Sequence, residues 1–335
     1  VTSDVREVPA VRRAVVTGAA GFIGSHLCEA LLDEGWLVTG IDHLRGHPTE
    51  VTERNLRSVR ADPRFLLVTA DLATADLDSL VYGADTVFHL AARPGVRSSW
   101  GERFSEYVDS NVLGTHRLLD AIGRGGARRI VVSSSSSVYG GAESGATAET
   151  SLPRPLSPYG VTKLLTEQLS LAHARRPGSP TSVVALRYFT VYGPRQRADM
   201  AMNLMIDSAL TGRPITVFGD GLQRRDFTYV SDAVEANLLA AQADAKAVVV
   251  NVGTGSTVTV LELIELIGEV VGRPVVFEHG PPSDGDARST HADLAAATET
   301  LGYRPTVDLR TGIKHQVEWI RSLSAGAREP QSVRG

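Results

Sequence analysis

One cysteine and three lysines stand in a chain of 335 residues. With a single thiol, Cys28, neither an internal disulfide nor a thiolate metal cluster can form, so the sequence predicts a reducing, cytoplasmic setting and no metal. On its apolar helical stretch Cys28 reads as a small core residue. No apolar run approaches the ~18 residues of a membrane span, and VTSDVREVPAVRR holds no apolar core of a leader, so no membrane partner is expected. Basic blocks are missing too. Lys and Arg number 34 against 38 Asp and Glu, for a net charge of -4, and nothing tracks a phosphate backbone, which argues against nucleic acid as a partner. Hydrophobic residues at 42% and charged residues at 21% exclude disorder. Glycine is the excess, with 32 copies, and where they fall matters.

Short β-branched runs recur at Ala14–Thr17, Leu37–Ile41, Phe65–Val68, Thr86–Leu90, Ile130–Ser133 and Val183–Leu186. They are continuous rather than alternating, as in strands buried on both faces. Apolar positions at helical spacing lie between them, such as Ile23, Leu27 and Leu31, or Leu118, Leu119 and Ile122. This alternation predicts an α/β fold, a doubly wound parallel sheet. After about Tyr188 the rhythm changes. Helices are expected at Met200–Leu210, Ser231–Ala243, Val260–Val271 and Leu309–Ser322, with strands at Ile215–Phe218, Val248–Val252 and Val275–Phe277. The division expected is 11–187 for a first domain and 188–323 for a smaller C-terminal α/β substrate lobe, some segments returning to the first. Residues 1–10 and 324–335 read as loose ends.

Directly after the first run comes GAAGFIG, with Gly18, Gly21 and Gly24 opening a helix. Such glycines permit a tight turn, close approach of backbone to a pyrophosphate, and packing of helix on strand, while the helix N-terminus attracts the phosphates. That predicts a Rossmann-type dinucleotide site. Asp42 closes the second run about 20 residues on, where a carboxylate accepts from the adenosine ribose diol and repels a 2′-phosphate, favouring NAD over NADP; Arg45 nearby pulls the other way. In SPYGVTK, Ser157 can cap a helix with Pro158 at its first position, which sets Tyr159 and Lys163 on one face. A neighbouring ammonium and the nicotinamide cation favour phenolate, and could pull a tyrosine from its usual pKa of about 10 toward neutrality to act as general base for a sugar or alcohol hydroxyl.

With RAVVTGAAGFIGSHL, HLAA, SNVLGT, SSSSSVYG, SPYGVTK, LRYFTVYGPRQR, VFGDGLQRRDFTYVSD and NVGTG in this order, nearly the whole chain resembles the extended short-chain dehydrogenase/reductases, in the NAD-dependent nucleotide-sugar epimerase/dehydratase group. The resemblance implies that Gly18, Gly21, Phe22, Ile23, Gly24, Asp42, Asp71, Leu72, Leu90, Ala91, Ala92, Asn111, Ser133, Tyr159, Lys163 and Tyr188 hold NAD. It makes Tyr159 the base and Ser135 the residue that hydrogen-bonds the reacting hydroxyl, and it implies a homodimer. Dehydratases and decarboxylases resemble one another in carrying an acid after that serine; this chain has Ser136 and Ser137. Where glucose-type epimerases continue LRYF with Asn, this chain has Thr190, and GPRQRADM follows.

The branch that these features resemble acts on UDP-glucuronic acid, which predicts an epimerase that interconverts UDP-glucuronate and UDP-galacturonate. A carboxylate entering a dry pocket needs donors, and the hydroxyls of Ser136, Ser137 and Thr190 with the guanidinium of Arg197 can supply them. Arg225 resembles the phosphate-binding arginine, Arg288 is a second candidate, and Phe218 resembles the residue lining the uracil pocket. Arg97 and Arg195 are further cations without an assigned partner. His89, ending an apolar run, reads as a core histidine. The alternatives are a UDP-glucose or UDP-N-acetylglucosamine 4-epimerase, a UDP-glucuronate decarboxylase, and a non-catalytic NAD-binding regulator.

Overall fold

A computed structural model of the chain describes residues 11–45, 48–141, 145–282 and 285–326. The strands are β1 (Arg13–Thr17), β2 (Leu37–Asp42), β3 (Phe65–Thr69), β4 (Thr86–His89), β5 (Arg129–Ser135), β6 (Ser182–Tyr188), β7 (Thr190–Tyr192), β8 (Ile215–Phe218), β9 (Arg224–Arg225), β10 (Phe227–Tyr229), β11 (Ala247–Val252), β12 (Val258–Thr259), β13 (Phe277–Gly280) and β14 (Ser289–Thr290). The helices are α1 (Phe22–Asp33), α2 (Thr49–Leu56), α3 (Asp78–Val81), α4 (Phe104–Tyr107), α5 (Gly114–Gly123), α6 (Pro158–Arg175), α7 (Ala201–Thr211), α8 (Val230–Gln242), α9 (Val260–Val271), α10 (Ala295–Leu301) and α11 (Leu309–Gly326).

Seven strands form one sheet in the order β11-β6-β5-β4-β1-β2-β3. Every neighbouring pair is parallel, so crossover helices cover both faces and the strands are apolar on both sides. On one face Val16, Phe88, Val131 and Val184 pack with Leu27 and Leu31 of α1 and with Ala233 and Ala236 of α8. On the other, Val15, Val87, Ile130 and Val132 meet Leu118 and Ile122 of α5 and Leu171 and Ala174 of α6. Each such Leu or Ile, fully buried, contributes about 1.5–3 kcal/mol. The strand order reverses between β1 and β4, which opens a crevice beyond their carboxyl ends. A separate core lies beside it, built from Tyr192, Met202, Ile206, Val217, Phe227, Leu263, Ile267 and Ile313.

Two expectations change. The strand expected at Ile130–Ser133 runs further: β5 continues to Ser135 because its register with β6 persists to Tyr188, and only Ser136–Val138 turn, capped by Ser135 Oγ accepting from Ser137 N (3.1 Å). The strand expected at Val275–Phe277 runs instead from Phe277 to Gly280. Val276 N donates to Ser208 Oγ (3.0 Å), so this amide is withdrawn from the ladder and pairing begins one residue later. The later segments that return to the first part of the chain are Val248–Val252, in β11 at the edge of the main sheet, and α8 before it, which covers that sheet. Both depend on β6 needing a parallel neighbour, which only a long crossover can supply. Of the expected loose ends, 324–326 close α11; the others lie outside the described residues.

Candidate active site

The crevice begins at the glycine turn. Gly18 has φ +73°, and a Cβ there would stand 2.9 Å from Ala91 N, on the segment after β4. At Gly24 a Cβ would stand 2.1 Å from Gly18 O; any side chain would push α1 off the turn. The first turn of α1 holds no acidic residue, leaving its N–H groups and positive end free for an anion. Asp42 ends β2 beside this turn, with Oδ2 accepting from Ala20 N (3.1 Å) and Oδ1 from Leu44 N (2.9 Å). A carboxylate offers about four acceptor sites, so two remain for a diol. These features fit a dinucleotide of the NAD type. Arg45 stands 3.9 Å from Asp71 and is 82% exposed, facing that acid. Asp71 Oδ1 accepts from Ala73 N (2.9 Å) next to buried Leu72, and Ala91 N, between Leu90 and Ala92, donates to Thr17 Oγ1 (3.2 Å).

Two residues expected to hold the cofactor have side chains engaged elsewhere. Asn111 lies in a π-helical turn, Val108–Leu113. Its Oδ1 accepts from Arg93 N (2.6 Å), and its Nδ2 donates to Arg93 O (3.1 Å) and Thr162 Oγ1 (3.0 Å). The amide ties the segment after β4 to α6 and leaves no polar atom free. Tyr188 lies on the face covered by α1 and α8, its hydroxyl accepting from Asn237 Nδ2 (2.7 Å) and lying beside Ser133.

Ser157 caps α6 by accepting from Gly160 N (3.1 Å), with Pro158 at the first position. Lys163 is buried and Tyr159 half-buried on the face toward the end of β5, and the Ser135 side chain lies beside the phenol. The Tyr107 ring meets Tyr159 edge-on at 6.4 Å. Burial raises the Tyr159 phenol above its ordinary value, opposed by the Ser135 hydrogen bond and by the charge of Arg197. Within the protein alone burial prevails; the downward pull expected of the ammonium together with a nicotinamide cation needs the cationic ring bound in the crevice, which would act in the same sense as Arg197. Burial also lowers Lys163 to about 8, against the pull of Glu167. His89 is a core histidine, its ring nitrogens 2.8 Å from Thr17 Oγ1 and from Thr115 Oγ1; burial and the charge of Lys163 push it down to about 3.

Behind the site lies a buried pair that local reading missed. Arg187 Nε donates to Glu167 Oε2 (2.9 Å) and Nη2 to Oε1 (2.6 Å), while Ser134 Oγ donates to Oε2 (2.7 Å). The signals available were Glu167, spaced four residues from Lys163, and an arginine inside the apolar run of β6.

On the sugar side, Ser136 and Ser137 form the turn after β5, and Thr190 opens β7, its N–H donating to Asp226 O (3.0 Å). Arg197 is bound by Asp199 (2.9 and 2.7 Å), yet its charge acts on both Tyr159 and Tyr107. Arg97 lies over the Phe218 ring at 4.0 Å and 3.6 Å from Asp286, which also takes Arg225 (2.7 Å). Arg97, Phe218 and Arg225 therefore come together. Arg288 does not join them: it pairs with Asp220 (2.7 and 2.9 Å) and is 64% exposed. Arg195 turns away as well, toward Glu29 of α1.

The chain is similar along its length to proteins of one group. An uncharacterized UDP-glucose epimerase of Bacillus subtilis, YtcB, is 42% identical, with 94% of this chain and 99% of that protein covered. The UDP-glucuronate 4-epimerase of Thermodesulfobacterium geofontis is 34% identical over 92% of this chain and 95% of its own. The crystal structure of UDP-glucuronic acid 4-epimerase from Bacillus cereus, in complex with UDP-glucuronic acid and NAD, superposes with a TM-score of 0.88 at 41% identity, covering 93% of this chain and 99% of that one. Residues 14–253 match the NAD dependent epimerase/dehydratase family, and the chain belongs to that family.

Proposed function

We propose that this chain is a UDP-glucuronic acid 4-epimerase, interconverting UDP-glucuronate and UDP-galacturonate with tightly bound NAD. The observation that carries the reading is the serine run at the end of β5, where Ser135 lies beside the Tyr159 phenol and is followed by Ser136 and Ser137 with no acid among them, while the charge of Arg197, in the loop after Thr190, favours the ionised phenol. NAD, when bound, supplies reversible oxidation of the sugar at C4. Gly18, Gly21, Phe22, Ile23 and Gly24 would hold its diphosphate, Asp42 its adenosine ribose, and Lys163 its nicotinamide half. Tyr159 takes the proton of the 4-hydroxyl, with Ser135 hydrogen-bonded to the same oxygen, and returns it after the sugar has turned its other face.

The 4-keto uronic acid formed in passing is a β-keto acid, which loses carbon dioxide readily. Hydroxyls of Ser136, Ser137 and Thr190 with the Arg197 guanidinium hold the carboxylate ionised and oriented, which suppresses that loss. Arg225 and Phe218 take the diphosphate and the base. In this reading 11–187 serves the cofactor and most of 188–323 the nucleotide sugar, in a cytoplasmic homodimer. Exposed Leu113, Val161 and Leu165, on the π-helical turn and α6, are apolar surface suited to a second copy. Incubation with UDP-glucuronate, followed by NMR of the products, is expected to give UDP-galacturonate. UDP-4-keto-pentose or UDP-xylose as the main product overturns the assignment.

A second reading, a UDP-glucose 4-epimerase, is favoured by the Arg197–Asp199 pair, since that guanidinium already has a carboxylate. The ratio of kcat/KM for the two sugars decides between them. A ratio favouring UDP-glucose selects the second.

A further inference from the structure

Arg197 sits in a loop whose backbone is unusually constrained. Among the described residues, Leu44 and Arg195 are the non-glycine positions with positive φ, and Arg195 stands at +67°. A bulky side chain adopts that conformation only where its surroundings enforce it, and such residues cluster at functional sites. The enforcing group is α1. Arg195 Nη2 donates to Glu29 Oε1 (2.5 Å) and Nη1 to Ser25 Oγ (3.3 Å), while His26 Nε2 lies 3.0 Å from the carbonyl of Pro194.

From the opposite side, Asn203 Nδ2 donates to the carbonyls of Gln196 (2.7 Å) and Arg197 (2.9 Å). Gln316 of α11 donates to Gln196 Oε1 (2.9 Å) and Asn203 Oδ1 (2.6 Å). Pro194 to Arg197 are thus gripped by α1, α7 and α11, and the Arg197 side chain, paired with Asp199, is the part left outside the grip, its charge acting on Tyr159. The α1 end of this grip is an ion pair at a left-handed residue, so losing it frees the loop to relax toward an ordinary backbone.

We propose that Arg195 and Glu29 are positioning residues that aim Arg197 at the sugar, tying the cation of the pocket to the helix whose other end holds the cofactor. Neither touches substrate; both act through Arg197. The inference rests on Arg197 being the cation that orients the uronate, as proposed above. Its consequence is that product identity depends on residues at the back of a loop: a loosened Arg197 leaves the uronate carboxylate free to align its bond with the C4 ketone and depart as carbon dioxide, the electrons of the C5–carboxylate bond passing to an enolate that takes a proton from water at C5 to give the 4-keto-pentose.

The test uses the full-length protein carrying Arg195→Ala, Arg195→Lys, Glu29→Gln or Arg197→Ala, with UDP-glucuronate as substrate. The readouts are the ratio of decarboxylated to epimerised product and the NAD bound per chain. Arg195→Ala and Glu29→Gln are expected to bind NAD as the parent does, to lose about tenfold to a hundredfold in kcat/KM, and to raise the decarboxylated share severalfold. Arg195→Lys, which keeps the charge, is expected to recover most of the parental ratio. Should Arg195→Ala fold poorly, Glu29→Gln alone carries the test, since it keeps size and removes only charge. A parental ratio in Glu29→Gln, together with a shifted one in Arg197→Ala, overturns the positioning role and leaves the sugar reading standing. A parental ratio in Arg197→Ala overturns the sugar reading itself, and the positioning role with it.

Discussion

Tyr159 is the residue whose environment most determines chemistry. It is half-buried, edge-on to Tyr107, beside Ser135 and within the field of Arg197. Tyr159→Phe keeps the ring contacts and removes the proton acceptor, so turnover is expected to fall by about 10²–10⁴-fold; unchanged turnover would remove Tyr159 from the reaction. His89 makes a separate prediction. Its ordinary value is 6.5 and in the fold it lies at about 3. Between these values the unfolded chain binds a proton that the folded chain does not, so stability present above the upper value is lost as pH falls toward the lower, by up to about 5 kcal/mol. Urea unfolding at neutral and mildly acidic pH is expected to show a smaller acid loss in His89→Gln than in the parent. Equal losses would assign the acid response to other groups.

At the scale of elements, α6 is fixed by more than its cap. The pair of Glu167 on α6 and Arg187 on β6 is nearly inaccessible, with side chains 0% and 4% exposed, and Arg187 Nη1 reaches on to Tyr139 (2.8 Å). Removing one partner leaves a buried charge, so Arg187→Met is expected to cost about 3–5 kcal/mol in chemical unfolding. The double variant Arg187→Met/Glu167→Met should recover much of that loss. A double variant as unstable as the single would mean that the pair itself, not the orphaned charge, holds α6 down. Sequence reading found the strands of the sheet because burial on both faces leaves an unbroken apolar run, and it found the glycine turn and the capped α6 because both are local motifs. It misplaced the start of β13 and cut β5 short, since a side chain taking one amide, or a serine kept in register by its neighbour, leaves no periodic trace. The partners of Arg97, Arg195 and Arg288 were equally hidden. Glu29 is far from Arg195 along the chain, and Asp286 far from Arg97, so only folding brings them together.

Across the whole molecule, one bridge joins the crevice to the later core: Arg97 from the segment after β4, Phe218 from β8, Arg225 from β9 and Asp286. A nucleotide diphosphate entering there meets two guanidiniums that share one carboxylate, whereas Arg288 is exposed and committed to Asp220. Arg225→Ala is therefore expected to weaken UDP binding by about tenfold or more, the loss of a charge-assisted hydrogen bond. Arg288→Ala should change it by less than about threefold, as for an exposed ion pair. Calorimetric titration with UDP checks both, and equal losses would place Arg288 in the phosphate site.

The position of β11 has a further consequence. Most of the sugar-side chain is spliced between β6 and the strand that shields it, so the cofactor half cannot be cut free at Tyr188. A fragment ending there would expose the amides and carbonyls of β6, along a run in which Val183, Val184, Ala185 and Leu186 are all buried in the intact chain. Such a margin is sticky and recruits copies of itself. The later segment is in this sense a built-in chaperone for the earlier one, and the two halves could not have been shuffled independently by simple end-to-end fusion.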